Sequence, residues 1–296
     1  MSRLIKIVIA LGMLGLALFY VVTMPHPRGM DGFAGLTGDK ARGEQVFQAA
    51  GCASCHMAPG ATGAAQLVLA GGQSFPTAFG TFLAPNISPD PDQGIGEWSL
   101  VEFVRAVQDG VTPDNQHVFP AMPYVAYAKM LPQDVLDLKT FMDTLPPSAT
   151  ASLPHQVAFP FNIRRFLGGW KFLFGSDAYV LQGSLTPDVA RGRYIAEAMA
   201  HCGECHTPRN LLGGLQTSNW LGGAAVLDGK GRVPNITPGE LKWTGDEIFA
   251  YLTTGFTPSF DSVGGTMAHV VDNMAKLPTV DVREVVAYLK AVPAVP

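Results

Sequence analysis

The chain has 296 residues, enough for one large domain or two ordinary ones. Apolar residues make up 47% of it and charged residues only 15%, with 33 Gly and 23 Pro, which excludes a disordered chain and suits a compact, loop-rich protein. The formal charge is −4, and a mildly acidic surface argues against nucleic acid as a partner.

The first segment, M-S-R-L-I-K, carries Arg3 and Lys6 and is followed by eighteen uncharged residues from Ile7 to Met24. As a helix that run spans about 27 Å, close to the ~30 Å hydrocarbon core of a bilayer. A cleaved signal peptide has a shorter apolar region and small residues at its cleavage site. Here the run ends in F-Y-V-V-T-M-P-H-P, with Phe19 and Tyr20 placed as an interfacial belt. Residues 1–24 are therefore expected to be an uncleaved transmembrane signal anchor, with Arg3 and Lys6 inside and everything after Met24 outside. His26-Pro27-Arg28-Gly29 and the Gly-rich stretch behind it, 25–37, read as a tether.

From residue 38 onward the chain repeats itself once. A-R-G-E-Q-V-F-Q-A-A-G-C-A-S-C-H at 41–56 answers A-R-G-R-Y-I-A-E-A-M-A-H-C-G-E-C-H at 190–206; P-N-I-S at 85–88 answers P-N-I-T at 234–237. W-S-L-V-E-F at 98–103 answers W-T-G-D-E-I at 243–248, each running to a glycine turn, at Gly110 and Gly255. The runs starting at Asp134 and Asp281 answer each other last. Each copy is long enough to be a domain, so the expected units are 38–147 and 185–296. Asp39 and Thr186 cap an amphipathic helix that leads to the cysteines. Ser99 with Glu102, and Thr244 with Glu247, form capping boxes for a second helix. Val135, Leu138, Phe141 and Met142, and then Val282, Val285, Val286 and Leu289, give a last helix its apolar face. The fold class predicted is all-α, two tandem helical domains preceded by one transmembrane helix; the three-helix order of each copy, with its C-x-x-C-H after the first helix, resembles the small class I cytochrome c fold, whose first and last helices cross. Between the copies, 148–184 is an interdomain linker whose centre, F-P-F-N-I-R-R-F-L-G-G-W-K-F-L-F, is aromatic and basic. It packs between the domains as a helical linker, offers Arg164, Arg165 and Lys171 to the acidic groups of a cofactor or a partner, or does both.

All four cysteines fall in C-A-S-C-H (Cys52, Cys55, His56) and C-G-E-C-H (Cys202, Cys205, His206). Two thiols three positions apart followed by a His form the attachment pattern of haem c: each sulfur adds to a porphyrin vinyl group and the His lies under the iron. A redox dithiol has no need of that His, and a zinc site wants its ligand pairs closer in sequence. The chain should therefore hold two covalently bound haem c. Covalent haem c is attached outside the cytoplasmic membrane, which places the haem domains in the periplasm and the chain in the inner membrane as a single-pass protein.

A second axial ligand is needed on each iron, and a thioether raises the potential as a carrier requires. In the first copy the candidates are Met122, Met130, Met142 and His117. Met122, held between two prolines in F-P-A-M-P-Y, is preferred, because Met130 and Met142 belong to or adjoin the last helix as packing. In the second copy Met267 is preferred over Met274 and His269, since it follows Gly255 by the same twelve residues that separate Met122 from Gly110. Trp98 and Trp243 wall a haem edge, bond a propionate through the indole N–H, or pack in the core; Asn86 and Asn235 are candidates to hold a loop against the haem, and Arg105 to pair a propionate.

A-P-N-I-S-P-D-P-D-Q-G-I-G-E-W-S, F-V-R-A-V-Q-D-G-V, H-V-F-P-A-M-P-Y and F-P-F-N-I-R, in that order, resemble the membrane-bound cytochrome c subunits of periplasmic dehydrogenases, the alcohol and gluconate dehydrogenase and molybdenum hydroxylase type. The resemblance covers nearly everything from Gly38 onward. It implies haem ligation by the methionines of the M-P-Y and M-A-x-V-V segments, Met122 and Met267. Many members carry three C-x-x-C-H motifs where this chain has two, and a C-terminal amphipathic segment where this chain has an N-terminal apolar run. The function expected is that of a non-catalytic electron-transfer subunit that takes electrons from a dehydrogenase and passes them to quinone, an oxidase or a soluble cytochrome. The alternatives are a dihaem enzyme, such as a thiosulfate dehydrogenase or peroxidase, and a dihaem subunit of a terminal oxidase.

Overall fold

The computed structural model describes residues 3–26, 28–226 and 231–296. Met1 and Ser2 of the leader and Pro27 of the tether lie outside the described residues. Helix α1 (Arg3–Val22) is apolar all round, buries none of its residues in the protein, and has a mean hydropathy of 2.4 over its best window, long and apolar enough to cross a membrane. The segment behind it is packed, not loose. Arg28 pairs with Asp109 at 2.7 Å, and Phe33, in a single 3-10 turn, is buried.

In the first half α2 (Lys40–Ala50) leads through Gly51 into the one-turn α3 (Cys52–His56). A short hairpin, β1 (Ser74–Thr77) and β2 (Gly80–Leu83), precedes α4 (Leu100–Val104), which loosens into a π turn, Arg105–Asp109. Then come α5 (Tyr124–Tyr127) and α6 (Pro132–Met142). Between the halves runs α7 (Phe166–Phe174). The second half repeats the order: α8 (Pro187–Tyr194) with a π turn at Ile195–Met199, α9 (Gly203–His206), a two-residue hairpin of β3 (Ala224–Ala225) and β4 (Arg232–Val233), α10 (Gly245–Thr254), α11 (Met267–Met274) and α12 (Thr279–Ala291). The predicted start signals operate as expected. Asp39 accepts from the amides of Ala41 and Arg42, Thr186 from that of Val189, and both capping boxes close. Gly110 and Gly255 end their segments in left-handed conformation.

The principal packing in each half is a crossing of its first and last helices, α2 on α6 and α8 on α12. It depends on the glycine of the repeated A-R-G. A Cβ on Gly43 would lie 2.7 Å from the Asp137 carbonyl carbon and 2.8 Å from Phe141 Cβ, and one on Gly192 would run into the Glu284 carbonyl. The neighbouring arginine spans the same crossing each time, Arg42 to Asp137 (3.2 Å) and Asp134 (3.4 Å), Arg191 to Asp281 (3.4 Å). The halves join through an apolar core that includes Phe47, Val135, Ile195 and Met199. At that join Tyr194 donates to the Asp134 carboxylate and its Oη accepts from the Leu131 amide (3.0 Å).

Candidate haem sites

Each C-x-x-C-H sits on a helical turn directly after the element that its half's crossing positions. The histidine that ends it is held at two points, and the two halves hold it alike. His56 Nδ1 lies 2.8 Å from the Pro85 carbonyl oxygen and His206 Nδ1 2.8 Å from that of Pro234. A carbonyl can only accept, so Nδ1 carries the proton and the lone pair is on Nε2. No hydrogen bond engages either Nε2 among the described residues. The main-chain oxygens of the same histidines accept from the Gly71 and Gly223 amides, both at 2.7 Å. Both glycines have positive φ, 74° and 85°, and a Cβ on either would meet main chain of the P-N-I segment at 2.9 Å or less. Burial holds both imidazoles below the ordinary His pKa, against the opposing effect of the proline carbonyl. They are therefore neutral at pH 7, as a metal ligand must be.

The proline carbonyl is aimed by the asparagine that follows it. Asn86 Nδ2 donates to Ser148 O (2.7 Å) and Thr150 O (2.8 Å) while its Oδ1 accepts from the Ser88 amide (2.9 Å). Asn235 does the same with Val295 O (2.9 Å) and the Thr237 amide (2.8 Å). Both side chains are buried. These asparagines thus tie the P-N-I loop to the chain beyond the last helix, and their side-chain bonds are not directed at a ligand. The repeated P-N-I-[ST] was visible as a pattern, but the roles of Pro85 and Pro234 lie in a carbonyl direction that only the tertiary approach sets.

The thiols are in the wrong state for dithiol chemistry. Burial pushes Cys52 and Cys202 up to about 12 and Cys55 up to about 11, and raises Cys205. A redox C-x-x-C needs a lowered thiol pKa. Among the described residues no group of three or more His, Cys, Asp or Glu is placed to hold a metal ion, which leaves the zinc reading without a site.

Of the methionines, Met130, Met142 and Met274 are buried in the apolar core, as packing residues are. Met122 and Met267 are only partly buried and pack on its edge. Met122 is fixed in a turn, its amide donating to Phe119 O (3.1 Å) and its carbonyl accepting from the Tyr124 amide (2.9 Å), ahead of α5; Met267 is the first residue of α11. Neither short helix was predicted. His117 is not on the surface. It is buried and its Nε2 donates to the Thr23 carbonyl at 2.9 Å, which commits it to the end of α1. His201 lies over the Tyr127 ring, and His269 lines a cavity of about 310 Å³ opposite Ser54 and Met57. Trp243 stacks edge-on to Tyr251 at 5.3 Å. Arg105 Nη2 donates to Asn115 Oδ1 (2.7 Å), but its Nε is buried with no partner, an orphan that an anion such as a haem propionate would satisfy. Arg164, Arg165 and Lys171 are engaged by main-chain and side-chain oxygens: Arg164 by His117 O (2.9 Å), Arg165 by Thr23 Oγ1 (2.7 Å) and Tyr20 O (2.6 Å), Lys171 by Asp109 O (2.6 Å) and Gly110 O (2.7 Å).

The two motifs also meet across the join. Tyr127, just after Met122, donates to Ala50 O (3.0 Å), and His201, just before Cys202, approaches the same oxygen (3.4 Å). Asn273 of α11 donates to Ser54 Oγ within the first motif (3.0 Å). Cys205 lies near enough to Cys55 for its charge to add to the burial that raises that thiol.

Neutral Nδ1-anchored histidines and protonated thiols in both halves, with the partnerless Nε of Arg105 in the first, fit haem c, and such sites define a c-type cytochrome. Residues 40–146 match the cytochrome c family. A diheme cytochrome c-type protein of Cereibacter sphaeroides is 53% identical over 274 residues, 93% of each chain. The fructose dehydrogenase cytochrome subunit of Gluconobacter japonicus is 36% identical over 86% of this chain and 52% of its own length. A nicotinate dehydrogenase subunit of Pseudomonas putida is 35% identical over 86% of this chain and 21% of its own. This chain belongs to the diheme c-type cytochromes and carries two covalently bound haem c. It spans about half of the fructose dehydrogenase subunit and about a fifth of the nicotinate dehydrogenase one.

Proposed function

We propose that this chain is the membrane-anchored electron-transfer subunit of a periplasmic dehydrogenase, built as two tandem class I cytochrome c domains, 38–147 and 185–296, on a linker (148–184) and an N-terminal anchor (1–24). Cys52 and Cys55 bind one haem and Cys202 and Cys205 the other through thioethers; His56 with Met122, and His206 with Met267, are the axial ligands. The group supplies reversible one-electron change at iron. The chain's own work is to keep each imidazole neutral, oriented and shielded, and to hold the two irons at fixed separation.

The observation that carries this reading is the identical build of the two histidine mounts, Pro85 with Gly71 and Pro234 with Gly223, on motifs that touch through Ala50, Tyr127 and His201. Two sites of one design in contact suit a relay, and with His56, Met122, His206 and Met267 holding the irons no open position would be left for a substrate. The names of the fructose, alcohol and gluconate dehydrogenase cytochrome subunits support a dehydrogenase as donor. Quinone, an oxidase or a soluble cytochrome is the acceptor. Purification of the protein from washed membranes with its native partner tests this. A dehydrogenase whose substrate reduces both haems is the expected result; co-purifying oxidase core subunits would replace the dehydrogenase reading with that of an oxidase subunit.

A further inference from the structure

Helix α7 is turned inside out for a protein surrounded by water. Its one cation, Lys171, points inward to the carbonyls of Asp109 and Gly110, and the Trp170 indole donates sideways to Leu212 O of an exposed loop at 2.9 Å. Its outer face is Phe166, Phe172 and Leu173, of which Phe172 is 72% exposed and Leu173 63%. A surface helix of a soluble protein shows the opposite order, apolar inward and charged outward. The Trp170 bond joins this face to the loop that carries Leu211 and Leu212, and Leu211 is 97% exposed. The patch is thus contributed by two segments more than thirty residues apart in sequence, far beyond the scattered single apolar residues of ordinary surfaces.

The same patch is continuous with α1. Phe166 packs on Phe19 with ring centroids 5.9 Å apart, Arg165 lies over the Tyr20 ring at 4.4 Å and bonds Tyr20 O and Thr23 Oγ1, and Thr23 O receives His117. These contacts all fall at the outer end of α1. A helix of this length spans the hydrocarbon core from end to end, so whatever docks on Phe19, Tyr20 and Thr23 sits at the depth of the lipid headgroups.

From this juxtaposition we infer that α7 and the Leu211-Leu212 loop are a second membrane contact, lying in the outer leaflet of the bilayer that α1 crosses. The inference rests on the anchor reading above. An in-plane helix with an apolar outer face binds as interfacial helices do, and here it turns a flexible single-helix attachment into a fixed orientation. Because the Leu211 loop belongs to the second half, both halves are held against the same leaflet.

The test uses the full-length, haem-loaded protein in nanodiscs of phosphatidylethanolamine and phosphatidylglycerol. Spin labels are placed on single-cysteine variants Leu173→Cys and Leu211→Cys, with Leu14→Cys in α1 and Val280→Cys on the exposed surface of α12 as references. Collision with dissolved oxygen, which partitions into lipid, is compared with collision with a water-soluble nickel chelate. The expected result is an oxygen-to-nickel ratio at 173 and 211 severalfold above that at 280 and approaching that at 14. If 14 is lipid-like while 173 and 211 match 280, the anchor stands and the second contact is refuted. If 14 also matches 280, the anchor reading itself fails and takes the second contact with it.

Discussion

The crossing of α2 and α6 at Gly43 makes a quantitative prediction. In Gly43→Ala the new methyl would overlap the Asp137 carbonyl oxygen and sit 2.7 Å from its carbon and 2.8 Å from Phe141 Cβ. Carbon–carbon contact needs about 3.5 Å, so the helices must part by roughly 0.8 Å. They cannot do so cheaply, because Arg42 bridges the same crossing to Asp134 and Asp137 and the Asp137 carboxylate also holds the Asp39 amide at 2.7 Å. Overpacking of this kind costs about 3 kcal/mol at its upper range, and Ala returns about 1 kcal/mol of helix propensity. The net loss is about 2 kcal/mol. With a urea slope of about 2 kcal/mol/M the unfolding midpoint of the haem-loaded protein should fall by about 1 M, read by far-ultraviolet circular dichroism. Gly264→Ala, where nothing lies within 4 Å of the added carbon, should leave it in place. Equal midpoints for the two variants would refute the close-packed crossing. Gly192→Ala should repeat the effect of Gly43→Ala in the second half.

The remaining predictions concern the haem mounts and acidity. Met122→Ala and Met267→Ala should each remove part of the weak far-red charge-transfer band of the oxidised protein; an unchanged band in either variant would refute that methionine as the ligand. Asn86→Ala leaves the Ser148 and Thr150 carbonyls without their donor and should cost about 1–3 kcal/mol, measured as a lowered urea midpoint; no change would show that the P-N-I loop is held by other contacts. Stability should fall on acidification below about pH 6.5. Burial lowers the pKa of His117, His155 and His201, so the unfolded chain binds more protons in that window and stability present above pH 6.5 is lost as pH drops. His117 has most to lose, since its buried Nδ1 has no partner to receive a second proton's bond. Glu284, raised by burial, opposes the trend, and equal midpoints at pH 7.5 and pH 5.5 would refute the histidine assignment.

What could be read from residues alone was whatever depends on neighbours in sequence. Asp39, Ser99, Thr186 and Thr244 act within three residues, and the two C-x-x-C-H motifs are local chemistry. The alignment of Met122 with Met267 was legible through the duplication, because both follow a glycine turn. What was not legible depends on approach between distant segments. His117 stood among the candidate ligands because nothing near it in sequence shows that Thr23, 94 positions away, supplies its acceptor. Asn86 could be read as holding a loop, but nothing near it shows that the anchors of that loop are carbonyls 62 and 64 positions on. The short α5 and α11 were missed because one or two turns are too short a run to tell helix from loop.

A duplicated chain separates two kinds of requirement. Features present in both halves, the glycine crossing, the bridging arginine, the proline carbonyl and its asparagine, serve something each half does alone, which is to hold a haem. Features present once serve the pair. Ser54 of the first motif receives Asn273 from the other half, whereas its counterpart Glu204 is kept within its own half by Arg209 at 2.5 Å. Asp109, at the end of the π turn, receives Arg28 behind α1, whereas the corresponding end of α10 is an exposed Thr254 whose hydroxyl bonds locally, donating to Ala250 O and accepting from the Phe256 amide. The first half is therefore the one fixed to α1 and the second is fixed to the first. On the proposed reading, electrons that cross the join at Ala50 pass between the half fixed to the end of α1 and the half fixed to that one.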